Sequence, residues 1–185
     1  MTTFNILIAT IGRPTLQRML NSLSPQLVES DCLTIVFDGH SAPPVFDLLD
    51  FKCKVVQHCE PVALGSWGHG IRNKYAPLLE KRDFVLHADD DDSYLPGAFA
   101  KLRIQCTNPE TLYVAKMNNY GGIIPNGNVI KLNNIGTPCG IIPYDLNIKG
   151  TWRHQYGGDG LFYEEIAKSA KSIEHLQTVI YKVRG

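Results

Sequence analysis

The fold is decided by residues 82–99, which read RDFVLHADDDDSYLPGAF. An apolar run with strand character, Phe84 to Leu86, leads into four consecutive aspartates, and the chain then becomes apolar and helical again. Like charges repel, so this run needs a compensating positive charge if it ends a buried strand. A solvated loop that caps the next helix is the simpler interpretation. The loop is short, however, and packing residues follow it at once, which favours a built site.

The first half of the chain alternates between strands and helices. Continuous apolar runs predict strands at 4–10, 32–38, 51–58 and 82–89, and helical spacing predicts helices at 14–23, partly at 66–81, and at 95–106. Apolar strands joined by crossovers indicate parallel pairing with helices on both faces of the sheet. We therefore predict an α/β fold with a mostly parallel, twisted, Rossmann-like sheet in a single domain, residues 1–185.

The second half has a different pattern. It predicts a strand at 111–117, a hairpin at 121–132 that turns at Asn126-Gly127, a helix at 158–173 and a last strand at 178–183. These elements predict a small mixed or antiparallel part in the C-terminal half.

Composition excludes several classes of protein. Lys and Arg total 18, as do Asp and Glu, and this balance argues against a nucleic-acid binder that works by overall charge. No apolar run is long enough for a transmembrane segment, and the start lacks the features of a signal peptide. The sequence has no P-loop motif and no dinucleotide-binding motif. Five scattered cysteines without a C-x-x-C pair predict reduced thiols in a cytoplasmic protein.

Polar or charged residues follow each predicted parallel strand. The first strand runs into Thr10-Ile11-Gly12-Arg13, the second ends in Asp38-Gly39, and the fourth ends in the aspartates. Ligands of open parallel sheets bind at this carboxyl edge. Oxygen-only ligands select Mg²⁺ or Mn²⁺, which take one or two carboxylates together with substrate phosphates. The edge therefore predicts a divalent cation and a di- or triphosphate substrate.

Four motifs in residues 4–99 resemble, in the same order, those of GT-A glycosyltransferases of the family-2 type. They are Thr10-x-x-Arg13-Pro14, Asp38-Gly39, Ile71-Arg72-Asn73, and Asp89-x-Asp91 with Leu95-Pro96-Gly97. The resemblance implies a GT-A-like domain in which residues 1–99 bind the nucleotide-sugar and residues 100–185 form the acceptor side.

The resemblance also implies roles for particular residues. Asp91 and Asp89 would bind Mn²⁺ or Mg²⁺, and Asp159 would be the catalytic base at the start of a late helix. An acidic residue usually precedes this base in the family, and Gly158 stands there instead. The donor would be bound by Thr10, Gly12, Arg13, Asp38, Arg72, Asn73, Asp89 and Asp90.

The expected activity is metal-dependent, inverting transfer of a sugar, of the hexosyltransferase kind. A nucleotide-diphospho-sugar, with a UDP-sugar favoured, would donate to a glycan or other hydroxyl acceptor. A nucleotidyltransferase and a non-catalytic nucleotide-sugar or glycan-binding domain remain as alternatives. Three local alternatives also stay open. Asp159 is a base or only an N-cap, Trp67 stacks on a ligand or plugs the core edge, and Gly136 to Cys139 line the acceptor side or form a plain loop.

Overall fold

The computed structural model describes residues 1–184 and contains one nine-stranded sheet. The strand order is β3-β2-β1-β4-β8-β6-β9-β5, with β7 beside β6. The strands are β1 Phe4–Thr10, β2 Cys32–Asp38, β3 Lys54–Glu60, β4 Phe84–Asp89, β5 Ser93–Tyr94, β6 Thr111–Asn119, β7 Gly122–Ile124, β8 Gly140–Pro143 and β9 Ser172–Lys182. The helices are α1 Leu16–Leu23, α2 His69–Tyr75, α3 Ala98–Gln105, α4 Tyr144–Asn147 and α5 Gly158–Ala167.

The first four long strands are parallel, and helices cover both faces, as predicted. In the register, Ala9 lies beside Asp89 and Asp38 lies beside Glu60, so the strand ends meet at one edge. Every residue of β1 and β2 is buried. Alternate side chains of β1 face α1 on one side of the sheet and α2 on the other.

The C-terminal half is mixed, also as predicted. β8 pairs antiparallel with β4 and with β6, while β9 runs parallel to β6 and antiparallel to the short β5. The pairing of β9 with β5 places Tyr181 next to residues 89–92, which we call the aspartate segment. The last long strand thus supports the loop that carries the charges.

The predicted hairpin at 121–132 is wrong. The turn lies at Tyr120 and Gly121, which both have positive φ, and β7 after it pairs with β6. Asn126-Gly127 belongs instead to a loop held by Asn134, whose side chain binds the Asn126 amide and carbonyl and the Val129 carbonyl. A buried side chain therefore overrides the turn signal of the Asn-Gly pair.

Other differences concern short elements and boundaries. The predicted loop at 136–139 becomes a 3-10 turn followed by the four-residue β8, and α4 was not predicted. These pieces are too short for a periodic pattern to indicate them. α5 ends at Ala167, and β9 begins at Ser172, so the helix predicted at 158–173 was too long and the strand too short. The connection from β2 to β3 contains no helix.

Within residues 1–184 the cysteines form no disulfide bond. All five cysteine thiols are free, and only that of Cys59 is not fully buried. Among residues 1–184, no helix has both the length and the apolar character needed to cross a bilayer.

Candidate active site

A cavity of about 520 Å³ lies at the carboxyl edge of the parallel strands, where the sequence predicted a site. We call it the edge cavity. Residues from β1, β2, β4 and the start of α5 line it together, although they are far apart in the sequence. The predicted site residues in its lining are Thr10, Arg13, Asp38, Asp89, Asp90, Asp91 and Asp159.

Hydrogen bonds to β9 hold the aspartate segment in place. The amide of Asp89 donates a hydrogen bond of 3.0 Å to the hydroxyl of Tyr181 on β9. Immediately after the segment, Ser93 and Tyr94 form β5 and pair with β9, and the Leu95 amide donates to the Ile180 carbonyl. Both ends of this short segment are therefore tied to the sheet, and its carboxylates have defined positions.

Arginines compensate the repulsion between the four aspartates. Arg72 pairs with Asp89, and Arg13 lies 3.2 Å from the Asp90 carboxylate and 3.4 Å from that of Asp91. The Arg184 guanidinium lies 3.7 Å from Asp91. Arginine side chains of the chain itself thus supply much of the positive charge that the sequence analysis attributed to a divalent cation.

Asp90 and Asp92 are buried, whereas Asp89 and Asp91 remain partly exposed. Asp90 accepts a hydrogen bond of 2.6 Å from the Thr10 hydroxyl, and burial raises the pKa of its carboxyl group. Burial raises the pKa of Asp92 to about 7, although the carboxylate accepts the Arg184 amide. Asp89 and Asp91 keep 34% and 27% of their side chains exposed. These two carboxylates are the ones available to a ligand.

Asp38 holds a loop that contributes Gly65 and Trp67 to the lining of the edge cavity. Its two carboxylate oxygens accept hydrogen bonds of 2.7 and 2.8 Å from the amides of Leu64 and Gly65. Gly65 has φ +63° and ψ −146°, a conformation that is essentially restricted to glycine. Ser66 and Trp67 follow with φ near +55°, which is costly for residues with a side chain. The loop therefore has a strained backbone, and its hydrogen bonds to Asp38 help to keep it in this conformation.

Arg72 lies behind the cavity wall rather than in it. Its side chain is fully buried and donates to the carbonyls of Trp67 and Ala88 and to the carboxylate of Asp89. The guanidinium carbon also lies 5.0 Å from the ring centroid of Trp152. Arg72 thus connects the strained loop to the aspartate segment, and it reaches a ligand only through these neighbours.

Two other predicted donor-binding residues also lie outside the lining of the edge cavity. The Asn73 side chain donates to the carbonyl and accepts from the amide of Trp152, both at 2.8 Å. Gly12 forms the turn after β1 with φ +76°, and a Cβ there would lie 3.1 Å from His40 and Pro44. The structure gives both residues a supporting position, and their contact with the donor stays a prediction.

Asp159 lies in the first turn of α5 and lines the edge cavity. The N-cap of this helix is Gly157, so the alternative that Asp159 is only the N-cap is wrong. Its carboxylate accepts a 2.8 Å hydrogen bond from the Gly160 amide. Burial is the largest influence on the carboxyl group and raises its pKa, and the nearby charge of Asp89 acts in the same direction. A carboxylate with a raised pKa is a better proton acceptor.

The sequence analysis missed several residues of the lining. Arg184, Tyr156 and His69 line the edge cavity, although none of them belongs to a motif that the sequence revealed. His69 is bound at Nδ1 to the Arg153 carbonyl at 2.6 Å, and burial lowers its pKa. Trp67 has two thirds of its side chain exposed, so the alternative that it plugs the core edge is wrong.

A second cavity of about 570 Å³ adjoins the first, and we call it the side chamber. Asp89, Asp91 and Asp159 line both spaces. The side chamber is also lined by the end of β6, the turn after it and β7, by Asn133 and residues 135–138, and by Val183. Trp67, Tyr156 and Arg184 line both spaces. Gly136, Thr137 and Pro138 are thus part of a cavity wall, and three carboxylates mark where the two spaces meet.

No protein-family model and no curated protein sequence matches the chain. Solved structures of S. aureus TarS are similar to it in three dimensions. The crystal structure of TarS 1–349 gives a TM-score of 0.68 at 19% identity, with 98% of this chain and 60% of that chain covered. The complex of TarS 1–349 with UDP-GlcNAc gives 0.70 at 19% identity, with 99% and 58% covered, and the complex with UDP gives 0.68.

The fold is GT-A-like. At this identity the likeness concerns the backbone architecture, which agrees with the fold class predicted from the alternating elements. The chain spans about 60% of the length of TarS 1–349.

The exposed carboxylates fit a divalent cation of the Mg²⁺ or Mn²⁺ type. Within residues 1–184, no three His, Cys, Asp or Glu side chains form a complete metal-binding group. Mg²⁺ usually needs only one or two carboxylates when substrate phosphates supply further oxygens. Asp89 and Asp91 meet that requirement, since both line the edge cavity and retain exposed oxygens.

Proposed function

We propose that this chain is a glycosyltransferase that moves a sugar from a UDP-sugar to a hydroxyl acceptor with inversion. The observation that carries the proposal is the convergence of Asp38, Asp91 and Asp159 on one cavity at the carboxyl edge of a GT-A-like sheet. The TarS structures with UDP and UDP-GlcNAc have the same fold and support a uridine nucleotide as the donor.

The reaction would be a single in-line displacement. The bond between the sugar C1 and the diphosphate oxygen breaks while a bond forms between C1 and the acceptor oxygen, and Asp159 takes the hydroxyl proton. Arg13 and Arg184 lie beside Asp91, where their positive charge would favour a diphosphate. Asp89 and Asp91 would hold the divalent cation, which when bound neutralises charge on the leaving nucleoside diphosphate.

Donor binding should stabilise the fold. UDP at about 100 times its Kd, with Mn²⁺, should add about 2.7 kcal/mol to the free energy of unfolding, because the ligand binds only the folded state. For a chain of this length that corresponds to a rise in Tm of about 5–10 °C. Differential scanning fluorimetry with UDP, GDP and dTDP and their sugars would measure the rise and identify the base.

Two variants and one product assay sharpen this test. Asp91→Asn and removal of the metal by EDTA should each cancel most of the UDP-dependent rise. Asp145→Asn removes an exposed carboxylate that pairs with Lys81 on the surface, and it should keep the full rise. A rise that persists in Asp91→Asn and in EDTA would contradict the metal site. Release of pyrophosphate from UTP and a sugar phosphate, in place of UDP from a UDP-sugar, would indicate a nucleotidyltransferase.

A further inference from the structure

We infer that the side chamber is an acceptor subsite for the end of an electrically neutral saccharide. The inference rests on the proposed function and names the acceptor class, which the fold does not specify. Three features of the side chamber lie together beside Asp159. They are exposed aromatic rings, amide side chains without a hydrogen-bond partner within residues 1–184, and a lining whose arginine is already paired.

The location follows from the shared carboxylates. Asp159 lines both spaces, so a hydroxyl group that it deprotonates can approach from the side chamber while the donor fills the edge cavity. The volume of about 570 Å³ is typical of pockets for small molecules, which span roughly 300–1,000 Å³. The chamber suits one or two sugar rings better than a long stretch of polymer.

Exposed aromatic rings surround the chamber. Tyr120, Tyr156 and Trp67 all line it, and these residues are 69%, 82% and 66% exposed. Large exposed rings that rim a cavity mark binding sites rather than core. Tyr120 and Trp67 also have positive φ, a costly backbone conformation that tends to occur at functional sites. The apolar C–H faces of a sugar ring pack on such surfaces, while its hydroxyls stay free for hydrogen bonds.

Polar groups in the chamber match hydroxyls. Asn119 and Asn133 line it, and within residues 1–184 neither side chain forms a hydrogen bond. Each amide offers both donors and an acceptor. A sugar hydroxyl both donates and accepts, so these amides suit saccharide hydroxyls in any orientation.

The charges of the lining disfavour an anionic acceptor. Asp89, Asp91, Asp92 and Asp159 line the chamber, and Arg184 is the cation among its lining residues. Arg184 is not free for an acceptor, because its guanidinium lies 3.7 Å from Asp91, on the side assigned to the donor diphosphate, and 5.7 Å from the centroid of the Tyr120 ring. With the divalent cation and the donor in place, a phosphate or carboxylate on the acceptor would meet the negative charges of Asp159 and the donor diphosphate without a free cationic partner, which costs binding energy.

Saturation-transfer NMR on the intact chain with UDP and Mg²⁺, which is diamagnetic, tests the inference. The probes are cellobiose, lactose, maltose and N,N′-diacetylchitobiose, with 3′-sialyllactose as the anionic counterpart of lactose. At least one neutral disaccharide should show saturation transfer, and sialyllactose should show none. Tyr120→Ala should weaken binding of that disaccharide about tenfold, since loss of one stacking contact is worth roughly 1.4 kcal/mol, and should change the Kd for UDP by no more than about twofold.

Controls separate the possible failures. Tyr120→Phe keeps the ring and should bind the saccharide as the wild type does, and so should Ile104→Ala, which removes an exposed side chain on α3. The inference is overturned if UDP binds but no neutral disaccharide does, if sialyllactose binds as well as lactose, or if Tyr120→Ala binds like the wild type. Absence of UDP binding in the same samples would instead overturn the proposed function, and this inference with it.

Discussion

Asp159→Asn should reduce the rate of sugar transfer about a hundred- to ten-thousand-fold, the usual contribution of a general base. The change removes the proton acceptor where the two cavities meet, while an amide oxygen can still accept the hydrogen bond from Gly160. Donor affinity should therefore stay within about twofold of the wild type. Release of UDP at saturating donor and acceptor, with a separate UDP titration, would measure both quantities.

The pH dependence gives this prediction a second readout. Asp159 must be ionised to take a proton, and burial raises its pKa, so the rate should fall on acidification at a higher pH than for an ordinary aspartate. This acidic limb should disappear in Asp159→Asn. Glu165→Gln makes the same chemical change on the same helix outside both cavities, and it should keep the rate and the limb. Near-normal transfer by Asp159→Asn would show that another group is the base.

Arg72→Met should lower the free energy of unfolding by roughly 3 kcal/mol, the scale expected when one partner of a buried charge pair is removed. Arg72 is fully buried and links the Trp67 and Ala88 carbonyls to Asp89. Methionine fills much of the volume but leaves these acceptors without a donor. The strained loop at Trp67 also loses its hydrogen bond to Arg72. UDP should therefore bind more weakly, when measured at a temperature where the variant is folded.

Urea denaturation followed by circular dichroism would measure the change in stability. Lys81→Met is the matched control, because Lys81 pairs with Asp145 on the surface and both side chains are about 70% exposed. Exposed pairs of this kind contribute at most about 1 kcal/mol. Equal losses in the two variants would contradict the structural role of Arg72.

The sequence was most informative about the edge cavity. Continuous apolar runs located β1, β2 and β4, and parallel pairing then required Thr10, Asp38 and Asp89 to meet at one edge. That inference needs only the period of the strands and the rule for ligands of parallel sheets. The sequence could not distinguish residues that support the site from outside the cavity, such as Arg72, from residues that line it. A motif does not show which side chains are buried.

The presence of glycine at position 158 is explained only by three-dimensional packing. The family pattern has an acidic residue at this position, but here a Cβ would lie 2.4 Å from the Arg153 carbonyl oxygen and 2.6 Å from the His69 ring. The loop that carries Tyr156 therefore fills the space that a side chain would need. Likewise, the arginines that compensate the aspartates come from distant parts of the chain, and no local pattern identifies them as partners.

The central claim is that the edge cavity binds a nucleoside diphosphate between Asp38 and Asp91. A crystal of the chain soaked with UDP and MnCl₂ tests this most directly. We expect electron density for the uracil beside Asp38, and for the diphosphate with an anomalous manganese peak beside Asp91. An empty edge cavity at saturating UDP, or density for the nucleotide at another surface, would contradict the account.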